Sequence, residues 1–448
     1  MKKHIAISII AFMTFILAGN NSYAQYSDIL NTLREVPQGN QMNPSRLSNY
    51  RWAMGIPVLS SIQMGYNNQS LRYTGLFKTN ENGDLVIRKQ SFLNNLDKKA
   101  GIALHQKIEI LRAQVRYDKH QFTFGVSLNN TQSLFLSEGI FHLALEGNAP
   151  YIGKDLNLLD NNSKLDVTSY MEYALGYSTS VNDKLRVGGR LKYLVGIANM
   201  HSVRTNASLY TAEDDYSLRL RTDILAYSSY SRKDPNGTEF GNFSVGDCFK
   251  NNGFAIDLGA SYKLNDKIDL GLSILDWGFI SWGLDPVMHK SKKDNAQYIF
   301  NGFDMEEIII DNKFNAETVD DFLESLTDEL EVTDTLTSAY TTHIPTRFAL
   351  DGSYKFNEKH SLYSYWNSTI YDNSSFHSFS VNYKFNYKFL GVAVGNTINS
   401  NHFFNPGVGL YVNGGCFQFY CVIDHMNSTY LSNVRNVNAT IGFNLVFD

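Results

Sequence analysis

The last segment of the chain, Asn436–Phe447, alternates between two kinds of position. Apolar residues stand at Val437, Ala439, Ile441, Phe443, Leu445 and Phe447, and mostly polar or small residues stand between them at Asn438, Thr440, Gly442, Asn444 and Val446. A period of two places alternate side chains on opposite faces of a β-strand. One wholly apolar face is typical of a membrane-spanning strand, whose other face lines a polar interior. We therefore expect Ile441, Phe443, Leu445 and Phe447 to face lipid.

The same alternation recurs along the chain and is divided by connections of two lengths. Short turns are predicted at Asp118–His120, Asn182–Lys184, Leu264–Lys267, Asn357–Lys359, Asn386–Tyr387 and Asn413–Gly415. Long connections are predicted at Asn129–Lys164, Tyr227–Asn252, Gly283–His343, Ile398–Phe403 and Asp424–Arg435. Tight periplasmic turns and longer outer loops alternate in this way in outer-membrane barrels. The pattern predicts an all-β fold, a transmembrane antiparallel up-and-down β-barrel of fourteen to sixteen strands.

The N-terminus has the three parts of a secretory signal peptide. Lys2 and Lys3 are basic, Ile5–Ala18 is almost wholly apolar, and Ser22-Tyr23-Ala24 has the small residues that signal peptidase requires. The apolar run is too short for a membrane-spanning helix, which needs about 20 residues. We expect residues 1–24 to be a signal peptide, cleaved near Ala24, that directs the mature chain to the outer membrane.

Residues 25–60 precede the first predicted strand and do not alternate. Ser27 can cap a short helix that carries Ile29, Leu30 and Leu33 on one face. A barrel needs no such leader before its first strand. We therefore expect residues 25–60 to fold into the lumen as a plug or hatch, and residues 61–448 to form the barrel.

Two other segments have a helical period. Thr318–Leu330 separates apolar from acidic positions and lies in the long outer loop 283–343. It is either a lid or docking helix over the barrel mouth or a solvated cap on its loop, and the cap is favoured. Ser133–Leu145 is a second, more apolar candidate, which would suit a hydrophobic ligand. Tryptophans at Trp277, Trp282 and Trp366 stand where strands would leave the hydrocarbon, so interfacial positions are predicted for them.

Charge and cysteine content narrow the function classes. The formal net charge of −5 gives no reason to expect a nucleic-acid partner. Cys416 and Cys421 are predicted on one strand, too far apart to bond to each other, and Cys248 lies in a polar loop. Basic residues of the strands are expected to pair with acids inside the lumen; the basic set is Arg186, Arg190, Lys192, Arg219, Arg221 and Arg347, and the acidic set is Asp166, Glu172, Asp257 and Asp351.

Enzymatic function has little support in the sequence. It contains no nucleophile elbow, zinc-protease helix or phosphate-binding glycine loop. His201 beside Ser202 and His425 beside Asp424 are expected to be solvated residues, not catalytic bases. The acidic run Glu213–Asp215 is expected to be a solvated turn instead of a calcium site. We predict no enzyme activity, no catalytic residue, no metal ligand and no cofactor.

Three elements carry a family resemblance: Asn43-Pro44-Ser45 before the barrel, Trp277–Trp282, and Ile344–Phe348 leading into a strand. With them the mature chain resembles a family of Bacteroidota outer-membrane barrels that is distantly similar to the FadL-type fatty acid transporters and to the PorV-like barrels of type IX secretion. The resemblance implies 14 strands and a lumen hatch whose motif is Asn43, Pro44 and Ser45. Ser45 departs from the FadL pattern, which usually has Ala there.

Two functions follow from the resemblance. The first is a passive channel or transporter for small hydrophobic molecules, and the second is a non-transporting barrel subunit that partners with outer-membrane secretion or assembly machinery. In both cases membrane lipid surrounds the barrel and the barrel-assembly machinery inserts it. Hydrophobic small molecules or secretion subunits are the remaining candidate partners.

Overall fold

The computed structural model describes residues 27–69, 71, 77–79, 85–96, 99–161, 163–230, 246, 249–291, 296–300, 332–372, 374–399, 403–426 and 436–448. Fourteen antiparallel strands form a ring: β1 Ser61–Gln69, β2 Lys99–Tyr117, β3 His120–Ser137, β4 Lys164–Ser180, β5 Leu185–Thr211, β6 Asn252–Lys263, β7 Ile268–Trp282, β8 Thr346–Lys355, β9 His360–Tyr371, β10 Ser374–Tyr387, β11 Leu390–Asn399, β12 Asn405–Gly414, β13 Phe417–Asp424 and β14 Asn436–Phe447. The predicted all-β barrel of 14 strands is confirmed.

The ring closes between the first and last strands. Ile62 of β1 lies opposite Ile441 of β14. A short strand, Trp52–Gly55, continues β1 toward the chain's start and pairs with β14 on one side and β2 on the other. The barrel wall therefore begins before residue 61, because these residues already carry the wall's hydrogen bonds. The residues between the two strands leave the regular pattern, and Val58 among them has φ 67°.

The two faces of the wall differ in polarity. Leu175 of β4 and Leu191 of β5 are 65% and 68% exposed on the outside. Their neighbours Ala174 and Arg190 point inward and are buried. Exposed apolar side chains recur in this way on strand after strand, so the outer surface of the barrel is apolar.

Tight turns join the strands at one end of the barrel, here called the turn end. They lie where the sequence predicts them after β2, β4, β6 and β8. The turn after β10 lies further along than predicted, because Asn386 and Tyr387 are still in β10 and the turn falls at Lys388, which has φ 49°. The turn predicted at Asn413–Gly415 falls at the last of these residues, Gly415, which has φ 66°, because Asn413 and Gly414 are still in β12. A positive φ is typical of tight turns and not of strands, so it marks Lys388 and Gly415 as the turn residues.

The opposite end, here called the outer end, carries additional strands. Six of them belong to the same sheet: Asp155–Leu159, Leu218–Tyr230, Val287–Ser291, Ala296–Phe300, Val332–Leu336 and Tyr340–His343. β5 is long enough to pair with β4 and β6 in its first part and with Leu218–Tyr230 in its last part. Phe77–Thr79 and Leu85–Ile87 form a separate pair. The sheet therefore extends beyond the barrel at this end.

Helices are few in the described residues. The α-helices are Lys89–Leu93 and Glu138–Glu146, and the 3-10 turns are Ile29–Asn31, Pro37–Gln41 and Ala149–Tyr151. The helix predicted at Ser133–Leu145 is therefore wrong in its first part, because residues 133–137 still pair with β2 and β4. The predicted acidic helix Thr318–Leu330 and the signal peptide lie outside the described residues. None of the helices in the described part is long and apolar enough to span a bilayer.

The two cysteines among the described residues, Cys416 and Cys421, form no disulfide bond. Cys421 lies on β13, and Cys416 lies in the turn before it instead of on the same strand as predicted. Both are free thiols. Cys248 lies outside the described residues.

Candidate functional site

Residues 27–48, here named the interior segment, lie inside the barrel and contact inward-facing residues on all sides of it. At its start, Asp424 of β13 accepts hydrogen bonds from Ser27 Oγ and from the Ile29 amide, the latter at 2.9 Å. The 3-10 turn Ile29–Asn31 follows directly. A buried carboxylate that accepts two such bonds fixes the first residues of the segment against the wall.

An apolar face of the segment packs on the wall formed by β11, β12 and β13. The buried cluster consists of Ile29, Leu30, Leu33, Val36, Met42, Ala393, Tyr411, Tyr420 and Val422. Two glycines of β12 make room for it, since a Cβ atom at Gly407 or Gly409 would lie 2.7 Å from the Ile29 side chain. Burial of this face contributes to docking in proportion to the apolar area removed from water.

Asp351 of β8 gathers three side chains of the segment. Arg46 Nη2 lies 3.0 Å and Arg34 Nη2 3.3 Å from Asp351 Oδ1, and Asn43 Nδ2 donates to Asp351 Oδ2 at 3.2 Å. Arg34 also reaches Asp269 of β7 at 3.3 Å. The two guanidinium groups need these carboxylates, because an unpaired buried charge is costly.

Further anchors lie on the other side of the bore. Glu35 Oε2 lies 2.8 Å from Lys384 Nζ of β10. Gln38 and Asn444 of β14 exchange two amide hydrogen bonds of 2.8 and 2.9 Å. Gln38 also donates to Glu109 of β2 at 3.0 Å. The interior segment is thus fixed to strands on opposite sides of the ring.

The predicted hatch motif lies within this segment. Asn43 Oδ1 accepts hydrogen bonds from the Ser45 amide (3.0 Å) and from Ser45 Oγ (2.7 Å), which closes a tight local turn. Ser45 Oγ lies 2.5 Å from Ser261 Oγ of β6, and the Pro44 carbonyl accepts a hydrogen bond from Ser178 Oγ of β4 at 2.6 Å. These hydrogen bonds hold the motif, and with it the segment, against β4 and β6. Its role as a moving hatch stays a prediction.

A small cavity remains where the segment meets the wall. It has a volume of about 20 Å³ and is lined by Gln41, Lys107, Arg112 and Glu172 among others. A volume of this size holds about one water molecule. The segment and the wall are therefore in close contact around this cavity.

A charged cluster lies on the wall next to the segment, toward the outer end. Lys192 Nζ lies 2.9 Å from Asp257, 3.6 Å from Glu172 and in contact with Asp276. Arg347 Nη2 lies 2.8 Å from Asp276. The predicted pairing of lumen acids and bases is confirmed for these residues, whereas Asp276 was not among the predicted acids.

A β-bulge explains the position of Asp276. Leu275 and Asp276 together lie opposite the single residue Asp257 of β6, and Asp276 has φ 59°. Such a bulge inserts one extra residue and reverses the alternation beyond it. Trp277 is consequently 64% exposed on the outside, while Trp282 is fully buried inside.

Trp282 belongs to an inward-facing apolar cluster. The cluster consists of Tyr170, Leu194, Ala255, Ile280, Trp282 and Ile344, with Tyr340 packed against it. Trp282 Nε1 donates to Thr342 Oγ1 at 2.8 Å. The interfacial position predicted for Trp282 is therefore wrong. Trp277 lies on the outer face and Trp366 on β9 is half-buried, and for these two the interfacial position stays a prediction.

The inward residues of β5 give the order of these layers along the bore. Gly188 contacts the interior segment at Pro44. Arg190 and Lys192 follow in the charged cluster, and Leu194 follows in the apolar cluster. On the β4–β7 side, going from the apolar cluster toward the turn end, the bore therefore presents an apolar layer, then a charged layer, then the interior segment.

The remaining predicted residues are placed as follows. Ile441, Phe443 and Phe447 are exposed on the outer face of β14 together with Ala439, and Leu445 is half-exposed, while the alternate residues of the strand, from Asn436 to Val446, are all buried. This placement fits the predicted lipid-facing side, which stays a prediction.

His425 and the acidic run Glu213–Asp215 were both expected to be solvated, and only the acidic run is. His425 is buried, with Nε2 3.6 Å from Asp28, so it is not the solvated surface histidine that was expected. Glu213–Asp215 is exposed as expected, and the Ser217 amide, which donates to Asp215 at 3.0 Å, lowers the pKa of that carboxyl.

A closed ring of 14 antiparallel strands, with an apolar outer face and a polar, filled interior, defines a transmembrane β-barrel protein. The chain belongs to the family of unknown function DUF5723, whose match covers residues 44–424.

Comparison with solved structures gives distant likenesses. The Pseudomonas aeruginosa FadL homologue is 10% identical, with 96% of this chain and 100% of that chain covered and a TM-score of 0.48. The toluene transporter TbuX of Ralstonia pickettii is 9% identical, with coverages of 96% and 97% and a TM-score of 0.46. The toluene transporter TodX of Pseudomonas putida is 9% identical, with coverages of 96% and 96% and a TM-score of 0.41. No curated protein matches the sequence. The PorV-like likeness and the Bacteroidota origin stay predictions.

Proposed function

We propose that the protein is an outer-membrane channel for small hydrophobic molecules and that the interior segment is its gate. The observation that carries the proposal is the order of the layers in the bore. An apolar layer around Leu194, Ile280 and Trp282 lies on the outer side of the charged layer and the interior segment. A solute that has passed the mouth on this side meets the apolar layer before the charged layer.

The chemistry of that layer favours an apolar solute. A polar solute loses its hydration shell on entering, and the apolar side chains offer no hydrogen bonds in exchange. An apolar solute gains free energy from leaving water. The FadL-type resemblance in the sequence implies the same cargo class.

Passage then requires the interior segment to move. Its contacts with Asp351, Asp424 and Asn444 hold it inside the bore, next to the charged layer. The gate is closed in this conformation. Membrane lipid and the barrel-assembly machinery are the partners that such a barrel requires. The described residues offer no observation that favours the secretion-subunit alternative.

A reversible tether tests the gate. In a chain whose native cysteines are replaced by serine, Ser45→Cys with Ser261→Cys links the interior segment to β6, because the two hydroxyls lie 2.5 Å apart. The readout is uptake of a radiolabelled long-chain fatty acid by Gram-negative cells that lack their own fatty-acid channel, with a radiolabelled sugar as the polar comparison. We expect oxidation to slow fatty-acid uptake at least tenfold and reduction to restore it.

The matched control links two wall strands only. Ser364→Cys with Val381→Cys joins directly opposed residues of β9 and β10 and leaves the segment free. It should leave uptake unchanged. Equal uptake by the oxidised and reduced Ser45–Ser261 tether would contradict the gate. Uptake no faster than in cells without the protein, or equally fast for the sugar, would contradict the cargo class.

A further inference from the structure

Three side chains that can bind a metal ion meet at the outer end of the barrel. They are Asp166 near the start of β4, His201 on β5 and Asp372 directly after β9. Their ligand atoms all lie within 4.8 Å of one another. His201 Nδ1 lies 3.1 Å from Asp166 Oδ1, and Lys164 Nζ lies 3.5 Å from Asp372 Oδ2.

The cluster connects parts of the wall that are not neighbours. β4 and β5 are adjacent strands, but β6, β7 and β8 stand between β5 and β9 in the ring. Asp372 therefore reaches the other two residues across the mouth of the barrel, not along its wall. The β9–β10 connection, which carries Asp372, is short although it lies at the outer end.

Asp166 provides a second, independent observation. It is only 6% exposed, and its Oδ2 atom has no hydrogen-bond partner among the described residues. Its other oxygen accepts hydrogen bonds from the Ser202 amide at 3.1 Å and from His201. A buried carboxylate oxygen without a partner is costly, and a cation at this position would remove the cost.

The ligand types indicate the class of metal. One imidazole nitrogen and two carboxylate oxygens are ligands of Zn²⁺, which lie about 2.0–2.2 Å from the ion and therefore about 3–4 Å from each other. The ligand atoms here lie within 4.8 Å of one another, and Asp372, the exposed one of the three, is the least constrained by its surroundings. Ca²⁺ needs about six to eight oxygen ligands, which the cluster does not offer.

We propose that Asp166, His201 and Asp372 bind a divalent transition-metal ion of the Zn²⁺ type, which joins the β9–β10 hairpin to the β4–β5 wall across the outer mouth. A water molecule completes the tetrahedron. Lys164, which contacts Asp372 without the metal, is released when the ion binds. The proposal concerns the mouth of the barrel and does not depend on the cargo of the channel.

Calorimetric titration of Zn²⁺ into the full-length, metal-stripped protein in detergent tests the site. We expect one saturable site in the wild type. His201→Ala and Asp372→Asn should each weaken binding at least tenfold, because each removes one of three protein ligands. Lys164→Met should tighten binding several-fold, because it removes the cation that competes for Asp372.

His120→Ala is the matched control, since His120 lies at the turn end with its ring against Tyr177. It should bind Zn²⁺ as the wild type does. Retained heat-modifiable migration in electrophoresis verifies that each variant is a folded barrel. Absence of saturable binding by the wild type, or an equal loss in His120→Ala, overturns the site. Unchanged binding by Asp372→Asn overturns the connection across the mouth, because the ion is then held by β4 and β5 alone.

Discussion

At the scale of single residues, the interior segment depends on a few acids of the wall. Asp351 contacts Arg34, Arg46 and Asn43, and Asp424 accepts hydrogen bonds at the first residues of the segment. Asp351 was predicted as a lumen acid, because it stands at an inward position of an alternating strand. Its partners were not predictable, since the interior segment has no period that tells which side chain faces which strand.

Replacing Asp351 tests this dependence. Asp351→Ala leaves Arg34 and Arg46 inside the barrel without their shared carboxylate, and breaking a buried ion pair costs about 3–5 kcal/mol. We expect a lower midpoint of urea-induced unfolding in lipid vesicles. Asp266→Ala, which removes an exposed ion pair with Lys263, is the control and should leave the midpoint unchanged. Equal midpoints for the two variants would contradict the central role of Asp351.

Gly188 tests the seat of the Asn43-Pro44-Ser45 motif. A Cβ atom at this position would lie 2.3 Å from the Pro44 carbonyl oxygen, so Gly188→Ala should push the motif off β5. We expect a cysteine at Ser45 to react with a maleimide at least five times faster in this background. Gly125→Ala is the control, because a Cβ atom there would lie 3.9 Å from the Leu111 carbonyl oxygen, an ordinary van der Waals contact. Unchanged reactivity in Gly188→Ala would mean that the motif is not seated as described.

At the scale of elements, the barrel and the position of most tight turns followed from alternation and turn residues, because both are local signals. Alternation left fourteen to sixteen strands open, and the family resemblance favoured the fourteen that the structure has. The bulge in β7 did not. Its extra residue leaves no mark in a pattern in which Leu275, Asp276 and Trp277 are simply successive positions. Alternation continued without a bulge from Leu270 and Leu272 places Trp282 on the outer face, whereas the structure places it inside and Trp277 outside.

The two tryptophans beyond the bulge should respond differently to truncation. Trp282→Ala leaves a cavity in the buried cluster and removes the hydrogen bond to Thr342, at a cost of about 3–5 kcal/mol. Trp277→Ala on the outer face should cost about 1 kcal/mol or less. Urea unfolding in vesicles measures both. A larger loss for Trp277→Ala than for Trp282→Ala would contradict the reversal of faces.

At the scale of the whole molecule, the barrel is a closed ring of strands and the interior segment lies inside it. The sequence predicted both parts, the barrel from alternation and the segment from its absence before residue 61. The additional strands at the outer end were not predicted, because short strands in a long connection are set by pairing with distant partners such as the end of β5. Their pairing is a tertiary property that no local pattern encodes.

Removing the interior segment should open the bore. A chain that lacks residues 27–48 keeps Trp52–Gly55 and all 14 ring strands, but its inward charges then face water. We expect stable single-channel conductance in planar bilayers, well above the wild-type level. Substitution of the same residues by a flexible Gly/Ser sequence of equal length is the control for the length of the chain, and it should also conduct. Wild-type-like closure in both would show that something other than the segment blocks the bore.

The closure of the barrel between its first and last strands has a consequence for biogenesis. The residues that hold the interior segment at Ser27 and Gln38 are Asp424 and Asn444, on the last two strands of the chain. The segment is made first and its partners last, so it completes its contacts only after the C-terminal hairpin has arrived. Closure of the barrel wall and docking of the interior segment are therefore one event. A nascent barrel whose wall is still open also has an interior that is not yet filled.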